Sequence, residues 1–343
     1  MLIPITNKAK QGGSLDRGEI AQACESLLDG AVGIDDRADF LRALNEKGVT
    51  GKELAGFAEE LLARALAFPA DSLGAIDVCG TGGDKAGLFN VSTAVMFVVA
   101  GAGARVIKHG NRAITSKCGG ADVLEALGVK IDLPPDAAQH ALETVGCCFL
   151  FAPLYHPAVK AIAPVRKLLA EEGTPTIFNL LGPLLNPAKP HFQLVGVYSP
   201  DFLPIYAEAL VALGRRQAWA VHGTGPGNLR LDEVSSLAKT FVVKSLPGGV
   251  QSMEIDPAAL GLRESSPSEL LGGSLEENTQ ILESLLTNHD PGPRRDLVAI
   301  NAAAALVVCG LAADLQEGLS RAYESLASGA AAAKLTALRK ITA

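Results

Sequence analysis

Aromatic residues are scarce in this chain, with one Trp, four Tyr and eleven Phe among 343 residues. That scarcity argues against an aromatic-rich binding module. Basic residues are outnumbered, 30 Lys and Arg against 37 Asp and Glu. The resulting net charge of −7 repels polyanions, so no nucleic-acid partner is expected. The six cysteines, at 24, 79, 118, 147, 148 and 309, include no CxxC pair and no His/Cys grouping at zinc spacing. A disulfide framework is therefore not expected, and reduced thiols in a cytoplasm are. Every long apolar stretch meets a Gly or a charge before the roughly 20 residues that span a bilayer, and Met1 to Gly13 lacks the apolar core of a secretory signal. No membrane association is expected.

What is present is the Ala, Val, Leu and Gly balance of helices packed on a sheet, with 48% hydrophobic residues. The length exceeds one average domain. From Leu15 to Leu66 the pattern is helical: Ile20, Ala23, Leu27 and Leu28 share a face, and Thr50 to Glu53 is a capping box opening a run with Leu54, Phe57, Leu61 and Leu62. Pro69 to Ser72 breaks this pattern, and the composition divides into a helical domain, 1–70, and an α/β domain, 71–343. Short apolar runs follow at Ala75–Cys79, Arg105–Lys108, Cys148–Phe151, Gln193–Tyr198 and Trp219–His222, separated by helical stretches. This alternation predicts a mostly parallel sheet flanked by helices. Leu297 to Leu338 reads as helical, with Leu306, Val307 and Leu311 in the core, and Glu264 to Gly273 as a loop.

Two constellations at strand ends carry chemistry. Gly80-Thr81-Gly82-Gly83-Asp84 follows the first strand, and Asn90 to Thr93 caps a helix starting at Ala94. Glycines let backbone N–H groups approach an anion, and a helix N-terminus adds roughly half a positive charge, which suits a pyrophosphate. A lone glycine-rich loop is as often an ordinary turn; strand, loop, Asp and capped helix together are a stronger signal. The second constellation is Lys108-His109-Gly110-Asn111-Arg112, with Ser116 to Asp122 leading into a helix from Val123 to Leu127. Cations and backbone donors here converge where a strand stops, the usual ligand position in parallel sheets.

With these words in order, the chain resembles the anthranilate phosphoribosyltransferases from about Asp16 to its carboxyl end. The resemblance rests on Gly80 to Asp84, Asn90-x-Ser-Thr93, Lys108 to Arg112, Ala121 to Gly128, Tyr155-His-Pro157, Pro164-Val-Arg166, Ile177 to Pro183, Asn186-Pro-Ala188 and Leu231-Asp-Glu-Val-Ser235. It implies the fold of class II nucleoside phosphorylases and phosphoribosyltransferases: a small helical domain, joined by part of 157–190, a larger α/β domain, and a cleft between them. It implies that phosphoribosyl pyrophosphate is held by Gly80, Thr81, Gly82, Gly83, Asp84, Asn90, Ser92, Thr93, Lys108, Ser116, Gly119 and Gly120. Ser92, Asp232 and Glu233 would hold Mg²⁺. Gly80, His109, Asn111, Tyr155, His156 and Arg166 would seat anthranilate, and a homodimer through the helical domain is implied as well.

The residue types are suited to these roles. An Asp-Glu pair offers oxygen ligands to a hard cation while leaving places for water and phosphate. Arg166 can pair a carboxylate with two hydrogen bonds. An aromatic amine is neutral at pH 7 and nucleophilic, so no indispensable Asp or Glu is expected to act as general base, and alignment supplies much of the rate. Lys85, Leu88, Cys118 and Gly120 depart from the family's usual pattern, and Lys167–Pro175 and His222–Leu231 are stretched. These departures bear on the acceptor more than the donor. Another aromatic acid as acceptor, a nucleoside phosphorylase and a non-catalytic nucleic-acid-binding relative are the alternatives.

Overall fold

A computed structural model describes residues 2–69, 74–113 and 118–342. Ser116 and the expected boundary at 70/71 lie outside these residues. Four helices come first, Ile3–Lys10, Arg17–Leu28, Ile34–Lys47 and Gly51–Leu62. Two of them open with capping boxes, Asp16 with Glu19 and Thr50 with Glu53. Buried Glu53 also accepts hydrogen bonds from Leu15 N at 2.9 Å and Lys47 Nζ at 2.8 Å, so one carboxylate ties three segments together. Ile20, Ala23 and Leu27 are buried on the second helix, and Leu54, Phe57, Leu61 and Leu62 on the fourth; Leu28 is only half-buried. These side chains share one core with Ile162, Val165, Leu169 and Phe178 from much later in the chain.

The larger part is an eight-stranded sheet: β1 Ala75–Gly80, β2 Arg105–Gly110, β3 Cys147–Phe151, β4 Phe192–Gly196, β5 Gln217–Gly225, β6 Leu229–Leu231, β7 Thr240–Leu246 and β8 Gly249–Ile255. The order is β3-β2-β1-β4-β5-β7-β8, with β6 paired to β5. β1 to β5 run parallel, while β6, β7 and β8 pair antiparallel. From β1 the chain builds outward to β2 and β3, then returns to place β4 on the other side of β1. That reversal opens a crevice at the carboxyl ends of β1 and β4, where ligands bind in open parallel sheets. The fold is thus α/β, a small helical part beside a mostly parallel sheet flanked by helices. Among the described residues no helix is long and apolar enough to cross a membrane.

Several boundaries differ from the sequence reading. The helix after the glycine loop starts at Val91, not Ala94, and Asn90 stands at its N-cap without a side-chain capping bond. Its Nδ2 donates instead to Cys118 O at 3.2 Å, joining the two loops. The second loop's helix spans Gly120–Ala126. β4 ends at Gly196, two residues before Tyr198. The carboxyl-terminal stretch is three helices, Pro293–Val308, Leu315–Ala327 and Ala330–Thr342; Gly310 at φ 76° turns the chain after the first. Leu306 is fully buried, but Val307 and Leu311 are half-buried at that turn. The expected loop at Glu264–Gly273 holds one short 3-10 turn, Pro267–Leu270.

Candidate functional site

At the crevice, Gly80 and Gly196 are register partners on adjacent strands. A Cβ on Gly80 would stand 2.3 Å from Asp232 Oδ2, and one on Gly196 1.5 Å from Asp232 O. The paired glycines leave the room through which Asp232 and Glu233 cross the end of the sheet. Gly82 and Gly83 adopt φ of 68° and 86°, left-handed values that suit glycine. Gly82 N donates to Asp232 Oδ2 at 2.6 Å, and Asp232 N to Asp84 Oδ2 at 3.4 Å. Thr81 is anchored on both sides, its N–H to Gly196 O at 2.9 Å and its hydroxyl accepting from Tyr198 N at 3.2 Å.

This packing crowds acidic groups. Burial, then Asp84 beside it, pushes the Asp232 carboxyl up to about 8. Glu233 is raised well above the usual range by burial and by Asp232, with Lys108 and the Ser92 backbone pulling the other way. Lys108 is itself buried and donates to Val78 O at 2.6 Å and Ser92 Oγ at 3.0 Å. A divalent cation would relieve the crowding, and Ser92, Asp232 and Glu233 offer only hard oxygen ligands. Two carboxylates and a hydroxyl leave places for water and phosphate oxygens, which fits Mg²⁺ as this ion commonly binds.

The second loop is shaped by close approach. A Cβ on Gly119 would lie 2.3 Å from Ala113 N, and one on Gly120 3.1 Å from Thr93 Oγ1. Gly119 N and Ala113 N both donate to Asp122 Oδ2, at 2.9 and 3.0 Å. Arg112, one of the cations expected at this strand end, is already paired. It pairs with Asp122 at 3.0 Å and Glu125 at 2.7 Å and lies over the Phe151 ring. Asn111 is exposed, its Oδ1 accepting from Arg112 N at 2.7 Å.

His109 and His156 meet edge to face with ring centroids 5.3 Å apart. Burial, reinforced by His156, lowers the His109 pKa to about 3, and burial lowers that of His156. Both imidazoles are thus neutral at pH 7. His156 Nε2 bonds Leu185 O at 2.6 Å, which leaves Nδ1 as the ring's lone-pair nitrogen. His109 Nε2, His156 Nδ1, Asn90 Oδ1 and Thr93 Oγ1 are buried atoms without a hydrogen-bond partner among the described residues. Such atoms are costly to leave unmade, and all four belong to residues assigned to substrate from the sequence. Arg166, half-buried on the helix Ala163–Glu171, lies over the Phe178 ring; burial lowers its pKa, and among the described residues no carboxylate pairs with it. Tyr155 departs from its assignment. Its ring is fully buried in the sheet core and its hydroxyl donates to Leu133 O at 3.2 Å, so its side chain lines no open seat.

Two family models match the chain: the helical bundle domain of a glycosyl transferase family over residues 3–65, and that family's a/b domain over 72–332. The anthranilate phosphoribosyltransferase of Desulfatibacillum aliphaticivorans is 44% identical over all of this chain and 99% of its own. That of Azorhizobium caulinodans is 43% identical, over 99% of this chain and 96% of its own. The chain belongs to the anthranilate phosphoribosyltransferase family. The crystal structure of the Thermus thermophilus member superposes with a TM-score of 0.89 at 38% identity, covering 98% of each chain. The Saccharomyces cerevisiae member in complex with PRPP and Mg gives 0.87 at 28% identity, covering 99% of this chain and 97% of that one.

In this member of the family, the stretched segments have defined structures. Lys167–Pro175 finishes a helix and turns, and Glu172 takes two hydrogen bonds from Arg42, at 2.7 and 3.0 Å. His222–Leu231 is the hairpin of β5 and β6, with Gly227 and Asn228 at φ 67° and 61°, and it leads straight into Asp232. Lys85 takes φ 58°, where a glycine would be unstrained, and Leu88 bridges Leu271. Gly196 belongs to none of the sequence motifs, although a glycine closing a strand is a recognisable mark of close backbone approach. Asp77, an acid inside an apolar strand and fully buried, belongs to none either.

Proposed function

We propose that the protein transfers the phosphoribosyl group of phosphoribosyl pyrophosphate to anthranilate, giving N-(5'-phosphoribosyl)anthranilate and pyrophosphate, a step of tryptophan biosynthesis. The observation that carries this reading is the set of four buried, unpartnered polar atoms on Asn90, Thr93, His109 and His156, beside a glycine loop and an acidic pair at one crevice. In this reading Gly80 to Asp84, Asn90, Ser92, Thr93, Lys108, Ser116, Gly119 and Gly120 hold the donor. Ser92, Asp232 and Glu233 hold Mg²⁺, which supplies positive charge against the departing pyrophosphate. The anomeric carbon loses its bond to pyrophosphate oxygen and gains one to the amine nitrogen. Neutral His109 and His156 each keep a lone-pair nitrogen able to accept from the amine N–H, Arg166 takes the carboxylate, and alignment lowers the barrier. The S. cerevisiae relative in complex with 4-fluoroanthranilate supports this acceptor class.

The same reading places the protein in the cytoplasm as a homodimer, with domains at 1–70, joined by part of 157–190, and 71–343. The test is the fluorescence of anthranilate mixed with protein, phosphoribosyl pyrophosphate and Mg²⁺, with EDTA and no-donor controls. Loss of signal that needs both metal and donor, with pyrophosphate released, is the expected result. Pyrophosphate released only with another aromatic acid overturns the acceptor assignment.

A further inference from the structure

Beneath the paired histidines lies a polar network that none of the assigned roles uses. Asp77, in the middle of β1, is fully buried. Its Oδ2 accepts from Asn186 Nδ2 at 3.0 Å, and its Oδ1 from His109 N at 3.4 Å. Asn186 is fully committed: Nδ2 also donates to Ile107 O at 2.8 Å, and Oδ1 accepts from Ala188 N at 3.0 Å. Gln193, the register partner of Asp77 on β4, donates to Pro183 O. The segment from Gly182 to Asn186 is thus clamped by one buried polar side chain from each of two adjacent strands. Between the clamps, Leu185 O receives His156 Nε2, and the Gly182 backbone hydrogen-bonds His109.

A purely structural site would more economically be apolar, because burial disfavours the charged carboxyl and raises Asp77 above the usual range. Lys108 and buried Arg215 provide the charges that offset part of this cost. Asp77 touches His109 through its backbone and His156 through Asn186 and Leu185, so both rings depend on one carboxylate. We propose that Asp77, acting through Asn186, is a positioning residue that sets the orientation of His109 and His156 toward the acceptor. This rests on the acceptor reading given above for what the rings bind, but not for how they are held.

Two variants separate the possibilities. Asn186→Ala removes the link without changing charge. Asp77→Asn keeps an oxygen for His109 N but turns one amide against another, since Asn186 cannot flip without losing Ile107 O and Ala188 N. Each variant should raise the KM for anthranilate about tenfold, the scale of one hydrogen bond to a charged group, with the KM for phosphoribosyl pyrophosphate within about twofold. Imidazole ¹⁵N spectra of the ligand-free protein should show His156 protonated at Nε2 in wild type and averaged between tautomers in Asn186→Ala. Equal rises in both KM values, a fall in kcat alone, or unchanged imidazole spectra would each overturn the proposal. If wild type transfers only to another aromatic acid, the acceptor reading fails, and the imidazole spectra still decide whether Asp77 and Asn186 position the rings.

Discussion

Gly196→Ala is the sharpest probe of how the acidic pair is placed. The new methyl would sit 1.5 Å from Asp232 O, 2.2 Å from Asp232 C and 3.0 Å from Asp232 Cα. All three are backbone atoms, so no rotamer change relieves the clash. Ordinary contact begins near 3.4 Å, and the 232–233 segment must therefore retreat by about 2 Å. Gly82 N would lose its 2.6 Å bond to Asp232 Oδ2, and Glu233 would lose its bond to the Ser92 backbone. Since a misplacement near 1 Å can cost about a hundredfold in rate, kcat/KM for the donor should fall by about that factor or more. The assay is pyrophosphate release against donor and Mg²⁺ concentration, with thermal melting to verify the fold. A folded Gly196→Ala protein with wild-type donor kinetics and an unchanged Mg²⁺ titration would refute the assigned role of Asp232 and Glu233.

Three further outcomes are expected. Arg166→Ala should raise the acceptor KM about tenfold or more, the scale of a lost charge-assisted pair, and spare the donor KM; steady-state kinetics with each substrate varied checks this. Asp232→Asn with Glu233→Gln should raise the Mg²⁺ concentration needed for half-maximal rate, and an identical metal titration would remove both from the site. Burial raises the Glu53 carboxyl, but hydrogen bonds from Leu15, Lys47 and Thr50 outweigh it and hold the pKa below the usual range. Its stabilisation is therefore present above the unfolded glutamate value of about 4.3 and is lost as pH falls through the lower folded value. Glu53→Gln should cost about 3 kcal/mol at neutral pH by leaving the buried Lys47 ammonium without its counter-charge, and should flatten the acid limb of the melting curve.

Local patterns were legible in the amino-acid order because their causes are local. The Thr50–Glu53 capping box, the glycines after β1 and the alternation of apolar runs with helical stretches follow from spacing and from backbone freedom within a few residues. The same holds for the candidate donor and metal residues, which lie in words continuous along the chain. Other properties depended on what distant segments do to one another. Tyr155 belongs to a motif, yet its ring lies in the core and its hydroxyl is held by Leu133 O. Arg112 reads as one of the cations at a strand end, and only the helix Gly120–Ala126 brings Asp122 and Glu125 against it. Gly196 and Asp77 carry no motif of their own; one matters because Asp232, far along the chain, crosses over it, the other because Asn186 folds back beneath His109. The order of residues was enough to specify the elements, the family and the chemical types at the crevice. Which side chains stay unpartnered there, and which are spent on holding them, was set by the folded arrangement, because hydrogen bonds and burial are settled only when distant segments meet.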